Sequence, residues 1–483
     1  MPDKKPAKAV RASTARASSR RESLRNEALI AALVMVVALC LLYPQLVFQD
    51  QIFFSGDNEA AASFASVGKT ALERGVYPVW NPYLFSGMPS YASLSFAPYV
   101  YPVNYVVGLL EKYLFFPTLT WFLFHAWLTG MGVYLLLRHW RRHWAAAMAG
   151  GALMMWVPNL VAVGANGHGS QASACAYLPL ALLLWDRVWR GRGTLVNGAG
   201  LALVLGLSML RGHLQISYYT YALIALHLVF FGVARIVDGA RGRPAVETML
   251  PRRWRAESVQ GNSGVRLASA EVAYAVGIFA VVVAASLLMS AVLHWPVHEY
   301  AKYSIRGASE TGGLDYGYAT SWSLHPLEML TFIVPFAFGF GKDLYYGFMP
   351  FTDYPNYLGV IVLVMAVTAM ATVRTRYVRF LGFVAVVATF VAFGKFFPIL
   401  YKPLFALAPF FDKFRVPVMV LIVQQLAVVL LFGIGLDAAM RADAKRGKPR
   451  AVKWLAVAFG VFTVVVLSQG FWSGDFADSI SVR

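Results

Sequence analysis

Cysteine is nearly absent from this chain: Cys40 and Cys175 are the only two among 483 residues. Each lies within a long apolar run, so neither a disulfide framework nor a cysteine metal centre is indicated, and both read as inert packing residues. Charge is scarce as well. Asp, Glu, Lys and Arg make up 14% of the chain against 58% hydrophobic and 15% aromatic residues, and the mean hydropathy is +0.58. That balance excludes an ordinary soluble domain and marks a polytopic membrane protein. Nucleotide motifs are missing too. No G-x-x-x-x-G-K-[ST] phosphate loop and no G-x-S-x-G elbow occurs, and "GFGKDLYYG" (339–347) lacks the strand and helix that a nucleotide loop needs.

What is present is a series of apolar runs. A spanning helix needs about 20 mostly apolar residues. Eleven segments meet that description, near 28–48, 114–137, 144–164, 172–188, 194–210, 214–235, 270–293, 354–373, 378–394, 416–436 and 452–471. The expectation is an all-α membrane protein in three parts. These are a disordered basic arm at 1–27, a transmembrane domain over 28–471 and a short outer tail at 472–483. The first run is too long for a cleaved leader and no A-x-A-like site follows it, so it is expected to stay as a signal anchor.

The net charge of +18 is explained by where the cations lie. With the N-terminus inside, 30 of the 42 lysines and arginines fall on one face and 12 on the other. This is the positive-inside pattern, so the basic face is expected to be cytoplasmic and nucleic acid is not an expected partner. The opposite face carries three long segments, 49–113, 294–353 and 395–415. Turns of a few residues suffice to join helices, so long connections on one face point to function there.

Candidate residues cluster in those outer segments. Asp57 and Glu59 in "GDNE" could supply a base at the membrane surface. On the residues alone Asp57 reads first as the N-cap of the alanine-rich helix that follows, and Glu59 as a first-turn glutamate complementing the helix dipole, its functional alternative being to orient an acceptor or bind a cation. Trp80, Asn81 and Tyr83 in "WNPY" could stack on and hydrogen-bond a sugar, or form an interfacial aromatic belt. "NGHGSQ" offers His168 and Gln171 as donors. Arg211 with His213 in "RGHLQ", and Arg415 in "FRVP", are the outer groups suited to a phosphate, with an interfacial anchor as the plain alternative for both arginines; Gln215 joins a polar and aromatic cluster at the start of the sixth span that binds substrate or merely bridges helices. No His, Cys, Asp or Glu spacing defines a metal site, and no cofactor is expected.

The order of these motifs resembles the YfhO family of bacterial membrane proteins. The elements are an acidic outer loop with "GDNE" after the first span, "YPVWNPYLFSGMP", "NGHGSQ" before the fourth span and "FDKFRVP" before the tenth. The resemblance covers about residues 45–437. It implies a fold of the GT-C class of glycosyltransferases, in the bacterial inner membrane with the C-terminus outside. The implied activity is transfer of a sugar from a polyprenyl-phosphate donor to an envelope glycan or lipid acceptor on the outer face, with Asp57 as base, since the equivalent loop holds the catalytic carboxylate in that class. The competing expectation is a transporter or flippase of lipid-linked glycans without bond chemistry. Such proteins usually show internal repeats and midplane charges, and neither stands out here.

Overall fold

The structure is a computed structural model that describes residues 25–91, 100–243, 249–250, 264–304 and 314–446. The expected eleventh span and outer tail, and nearly all of the basic arm, lie outside the described residues. Among those described, the only paired strands are the two-residue β-hairpin of Trp80–Asn81 and Met88–Pro89; the rest of the regular structure is helical.

Six helical stretches are long and apolar enough to cross a membrane: Arg25–Leu42, Thr120–His139, Trp144–Ala165, Leu214–Ala240, Gly264–Ala301 and Pro417–Ala442. The protein is therefore an all-α membrane protein. Other expected spans are shorter or broken, and the breaks have local causes. Trp144–Ala165 is divided at Trp156 and Val157, where Pro158 starts a second helix. The 172–188 run is shared by Gly169–Cys175 and Leu178–Trp189, with Pro179 opening the second. Proline tolerates these N-terminal positions because it has no N–H to place there. Val360–Thr372 has 13 residues, about 20 Å at 1.5 Å per residue, less than the hydrocarbon thickness.

Burial sorts the helices into a core and a rim. In the most apolar 18-residue stretch of the final described span, Pro417–Ala442, 89% of residues are buried, against 17% in Arg25–Leu42 and 22% in the corresponding stretch of Gly264–Ala301. The first is enclosed by helices on all sides and the other two present apolar side chains such as Leu33, Leu41, Leu288 and Trp295 outward, as a bilayer requires. Small residues permit close approach at the centre. A Cβ at Gly435 would run into the Met365 carbonyl oxygen, so the Leu421–Arg446 and Val360–Thr372 backbones touch directly. A second core joins Trp185, Leu201, Leu205, Ile224 and Ala275 from four further helices.

The connecting segments contact one another in two separate groups, matching the two faces read from charge. At the basic end Asp186 is fully buried and accepts from His139 Nε2 at 2.8 Å, Arg190 Nε at 2.9 Å, Trp140 Nε1 at 3.1 Å and the Tyr377 hydroxyl. Asp437 takes Arg142 at 3.3 Å and Arg441 at 3.0 Å. These carboxylates are compensated by several donors each, as buried charge must be. At the other end the Asn58 amide donates to the Ala165 carbonyl at 2.8 Å, Tyr91 to Val292 at 2.6 Å and the Leu314 amide to Asp412 at 2.9 Å. Here too lies Val103–Leu114, whose Tyr105, Val106, Leu109 and Leu114 are exposed while Val107 alone is buried. Its one-sided packing suits a helix lying at the interface.

Candidate active site

The opening loop and the "NGHGSQ" turn build the site together. Ser55, in extended conformation, caps the Gly56–Glu73 helix by accepting from the Asn58 amide at 3.2 Å. The cap position is thereby filled two residues earlier than the alternative reading of Asp57 requires. Asp57 and Glu59 stand in the first turn with exposed side chains, where the helix dipole favours negative charge.

Gly167 fits directly against this turn. Its φ of +89° is a conformation that side chains rarely adopt, and a Cβ there would lie 2.7 Å from Asp57 Cβ and 2.8 Å from the Asn58 nitrogen. The close approach brings His168 Nε2 within 3.4 Å of the Asp57 carboxylate. On its other side the His168 ring packs on Tyr354 at 5.7 Å between centroids. Burial lowers the His168 pKa, Asp57 raises it and Arg415 lowers it again, so the imidazole is neutral at physiological pH. The Tyr354 hydroxyl is pushed up to about 12 by burial and then by the nearby Asp353 and Asp57 carboxylates, which keeps it a neutral donor.

Arg415 completes this group from the opposite side of the chain. Its Nη1 donates to the Tyr318 hydroxyl at 2.6 Å, and its carbonyl accepts from Gln215 Nε2 at 2.7 Å. Gln215 also donates to the Tyr219 hydroxyl at 2.8 Å, so it is a fixed strut beneath the arginine. The next residue, Val416, has φ +61°, a strained value for a β-branched side chain, and its amide is held by the Ala319 carbonyl at 3.1 Å. Arg415 is exposed while its backbone is held in place.

Other candidates fall elsewhere. Trp80 and Tyr83 are exposed on the hairpin, with the Trp80 ring over Gly87. Asn81 is buried and its Oδ1 accepts from the Tyr83 amide at 3.0 Å, so this side chain closes a turn. Gln171 is buried within Gly169–Cys175. The His213 Nδ1 accepts from the Ile216 amide at 3.3 Å and caps Leu214–Ala240. Arg211 joins a different cluster, with its guanidinium 4.7 Å above the Tyr101 ring.

Sequence reading missed Tyr354, Tyr318, Tyr101 and Tyr177. The first two flank segments already singled out, but no spacing marks one tyrosine among 24. Among the described residues no group of three or more His, Cys, Asp or Glu could hold a metal ion. Neither the protein-family models nor the curated proteins compared with this chain give a match.

Proposed function

We propose that this protein is a membrane glycosyltransferase of the GT-C type, related to the YfhO family. It would transfer a sugar from a polyprenyl phosphate to an envelope glycan or lipid acceptor on the outer face of the bacterial inner membrane. In the full reading eleven spans carry the chain, with the N-terminus in the cytoplasm. The observation that carries the proposal is the exposed Asp57 carboxylate, paired with a neutral His168 and facing a group that includes Arg415.

Asp57 takes the proton of the acceptor hydroxyl as its oxygen attacks the anomeric carbon. The bond from that carbon to the phosphate oxygen breaks, and the polyprenyl phosphate leaves with the electron pair. Arg415 balances the charge that develops on the leaving oxygen. The neutral His168 holds the carboxylate in orientation, and Tyr354 offers a hydroxyl to the sugar. Trp80 and Tyr83 supply exposed aromatic faces at the rim.

The test is transfer from a panel of radiolabelled polyprenyl-phosphate sugars by the purified chain, comparing the native protein with Asp57→Asn. Transfer lost in the variant, with donor binding kept, supports the base. Equal transfer by the variant removes Asp57 from the chemistry. Binding without transfer for every donor favours transport of lipid-linked glycans.

A further inference from the structure

A second site lies around Arg211. This arginine follows the last residue of Thr194–Leu210, where a cation complements the negative end of the helix dipole. Its guanidinium covers the Tyr101 ring at 4.7 Å, its Nε is shut off from solvent, and that nitrogen has no hydrogen-bond partner. Among the described residues no carboxylate pairs with it. This contrasts with the basic end, where Arg138, Arg142, Arg190 and Arg235 all meet acids. Arg211 is half-buried, with Nε withdrawn from water and no counter-charge beside it, and an anion from outside the chain is the group that would compensate it.

The surrounding hydroxyls are oriented by their own bonds. His125 Nδ1 lies 2.6 Å from the Trp121 carbonyl, which can only accept, so Nδ1 carries the proton. Its Nε2 must then accept from the Tyr101 hydroxyl, at 2.8 Å. With its proton committed, Tyr101 accepts from the Tyr177 hydroxyl. The chain of donors runs inward from Tyr177 to Trp121 and needs no charged partner. It fixes the Tyr101 ring under Arg211 and leaves the two Nη groups as the free donors, a pair suited to two oxygens of one anion.

We propose that Arg211 on its Tyr101 and Tyr177 platform is an anion site for a phosphate group, separate from the Asp57 and Arg415 site. The chemistry recognised is a phosphate monoester or diester, carried by a lipid headgroup or free in solution. Because it makes no use of Asp57, the site stands whether the protein transfers or transports.

Binding is measured on the full chain in a non-ionic detergent by intrinsic tryptophan fluorescence. The probes are dihexanoyl phosphatidic acid, inorganic phosphate and dihexanoylglycerol, which lacks phosphate. Binding of phosphatidic acid alone identifies a lipid headgroup site; binding of inorganic phosphate with similar affinity identifies a free anion site. Arg211→Gln is expected to raise the dissociation constant for the preferred probe about tenfold or more, the weight of a hydrogen bond to a charged group. Arg211→Lys, which keeps charge and loses the fork, should retain part of the affinity and controls for misfolding of the glutamine variant. Lys302→Gln, which removes an exposed outer cation that belongs to neither site, should leave this affinity unchanged. The proposal is overturned if neither phosphate probe binds, if dihexanoylglycerol binds as well as phosphatidic acid, or if Arg211→Gln binds like the native chain.

Discussion

Gly167→Ala tests whether the contact between the "NGHGSQ" turn and the opening loop builds the site. Two separate costs can be worked out. Holding a non-glycine residue in the left-handed region costs roughly 1–2 kcal/mol. The added Cβ, 2.7 Å from Asp57 Cβ and 2.8 Å from backbone atoms of residues 57 and 58, must move away by about 1 Å to reach ordinary contact. That displacement breaks the Asn58 to Ala165 hydrogen bond, now 2.8 Å, at a further cost of about 1 kcal/mol. It also carries His168 out of reach of Asp57, which starts at 3.4 Å. A total of about 2–3 kcal/mol falls on the docking of one loop, outside the buried helical core, so the loop should open locally before the protein unfolds. Hydrogen exchange over residues 53–73 should accelerate about 30-fold or more in Gly167→Ala, with little change in the Leu421–Arg446 helix. Gly167→Asn separates the two costs, because asparagine tolerates positive φ but brings the same overlap. Protection equal to the native chain in both variants would refute the reasoning; rescue by asparagine would show that strain, not contact, dominates.

Other perturbations follow from the same geometry. Asp186→Ala strips the shared partner from His139, Arg190, Trp140 and Tyr377 and should destabilise the whole bundle by about 3–5 kcal/mol, read as a large fall in thermal midpoint; an unchanged midpoint would mean the network is idle. Because His168 titrates below its usual value, burial being the first cause, the unfolded chain takes up its proton more readily, and this residue costs stability as pH falls through about 6.5 and nothing above it. Arg415→Gln removes a lowering influence and should move the His168 midpoint up, whereas Asp57→Asn should move it down; histidine NMR titration reads both, and a midpoint indifferent to Arg415 would separate the two groups. Val416→Gly relieves the +61° strain, worth about 1 kcal/mol, yet frees the Arg415 backbone, so the thermal midpoint should hold or rise while any transfer activity falls. Ser55→Ala should cost about 1 kcal/mol of local helix stability, seen as faster exchange in the first turn of Gly56–Glu73.

Apolar runs made the class legible, because hydrocarbon selects for them along the chain, and the segments grouped by cation placement are those that meet at a common end of the helices. Span lengths were less legible. Val360–Thr372 begins six residues later than its apolar run suggested, since Tyr354, Pro355 and Asn356 are apolar or neutral enough to extend a hydropathy reading but serve the outer segment, with Asn356 3.5 Å from Asn159. Hydropathy does not distinguish a residue in lipid from one buried in a loop. For the site, the polar members Asp57, His168 and Arg415 stood out because ionisable residues are rare in the outer segments of such a chain. Their grouping was only partly legible, because it depends on which loops touch.

The two arginines show this most clearly. Arg211 and Arg415 look alike in sequence, each an isolated outer cation at a helix end, and both read as groups suited to a phosphate. Their surroundings differ in kind. Arg415 is exposed, hydrogen-bonded through Tyr318, and close enough to His168 to shift its titration. Arg211 sits on a ring whose hydroxyl proton is already spent, and its influence falls on Tyr101, Tyr177 and His125. His168 responds to the charges of both Asp57 and Arg415, as a residue beside the proposed reaction centre would. A residue that only anchors a ligand needs a rigid floor and an uncompensated charge, which is what the tyrosine platform gives Arg211. On the proposed reading Arg415 would act on the chemistry and Arg211 would hold an anion, so Arg415→Gln should lower any transfer activity and Arg211→Gln should lower affinity for phosphate.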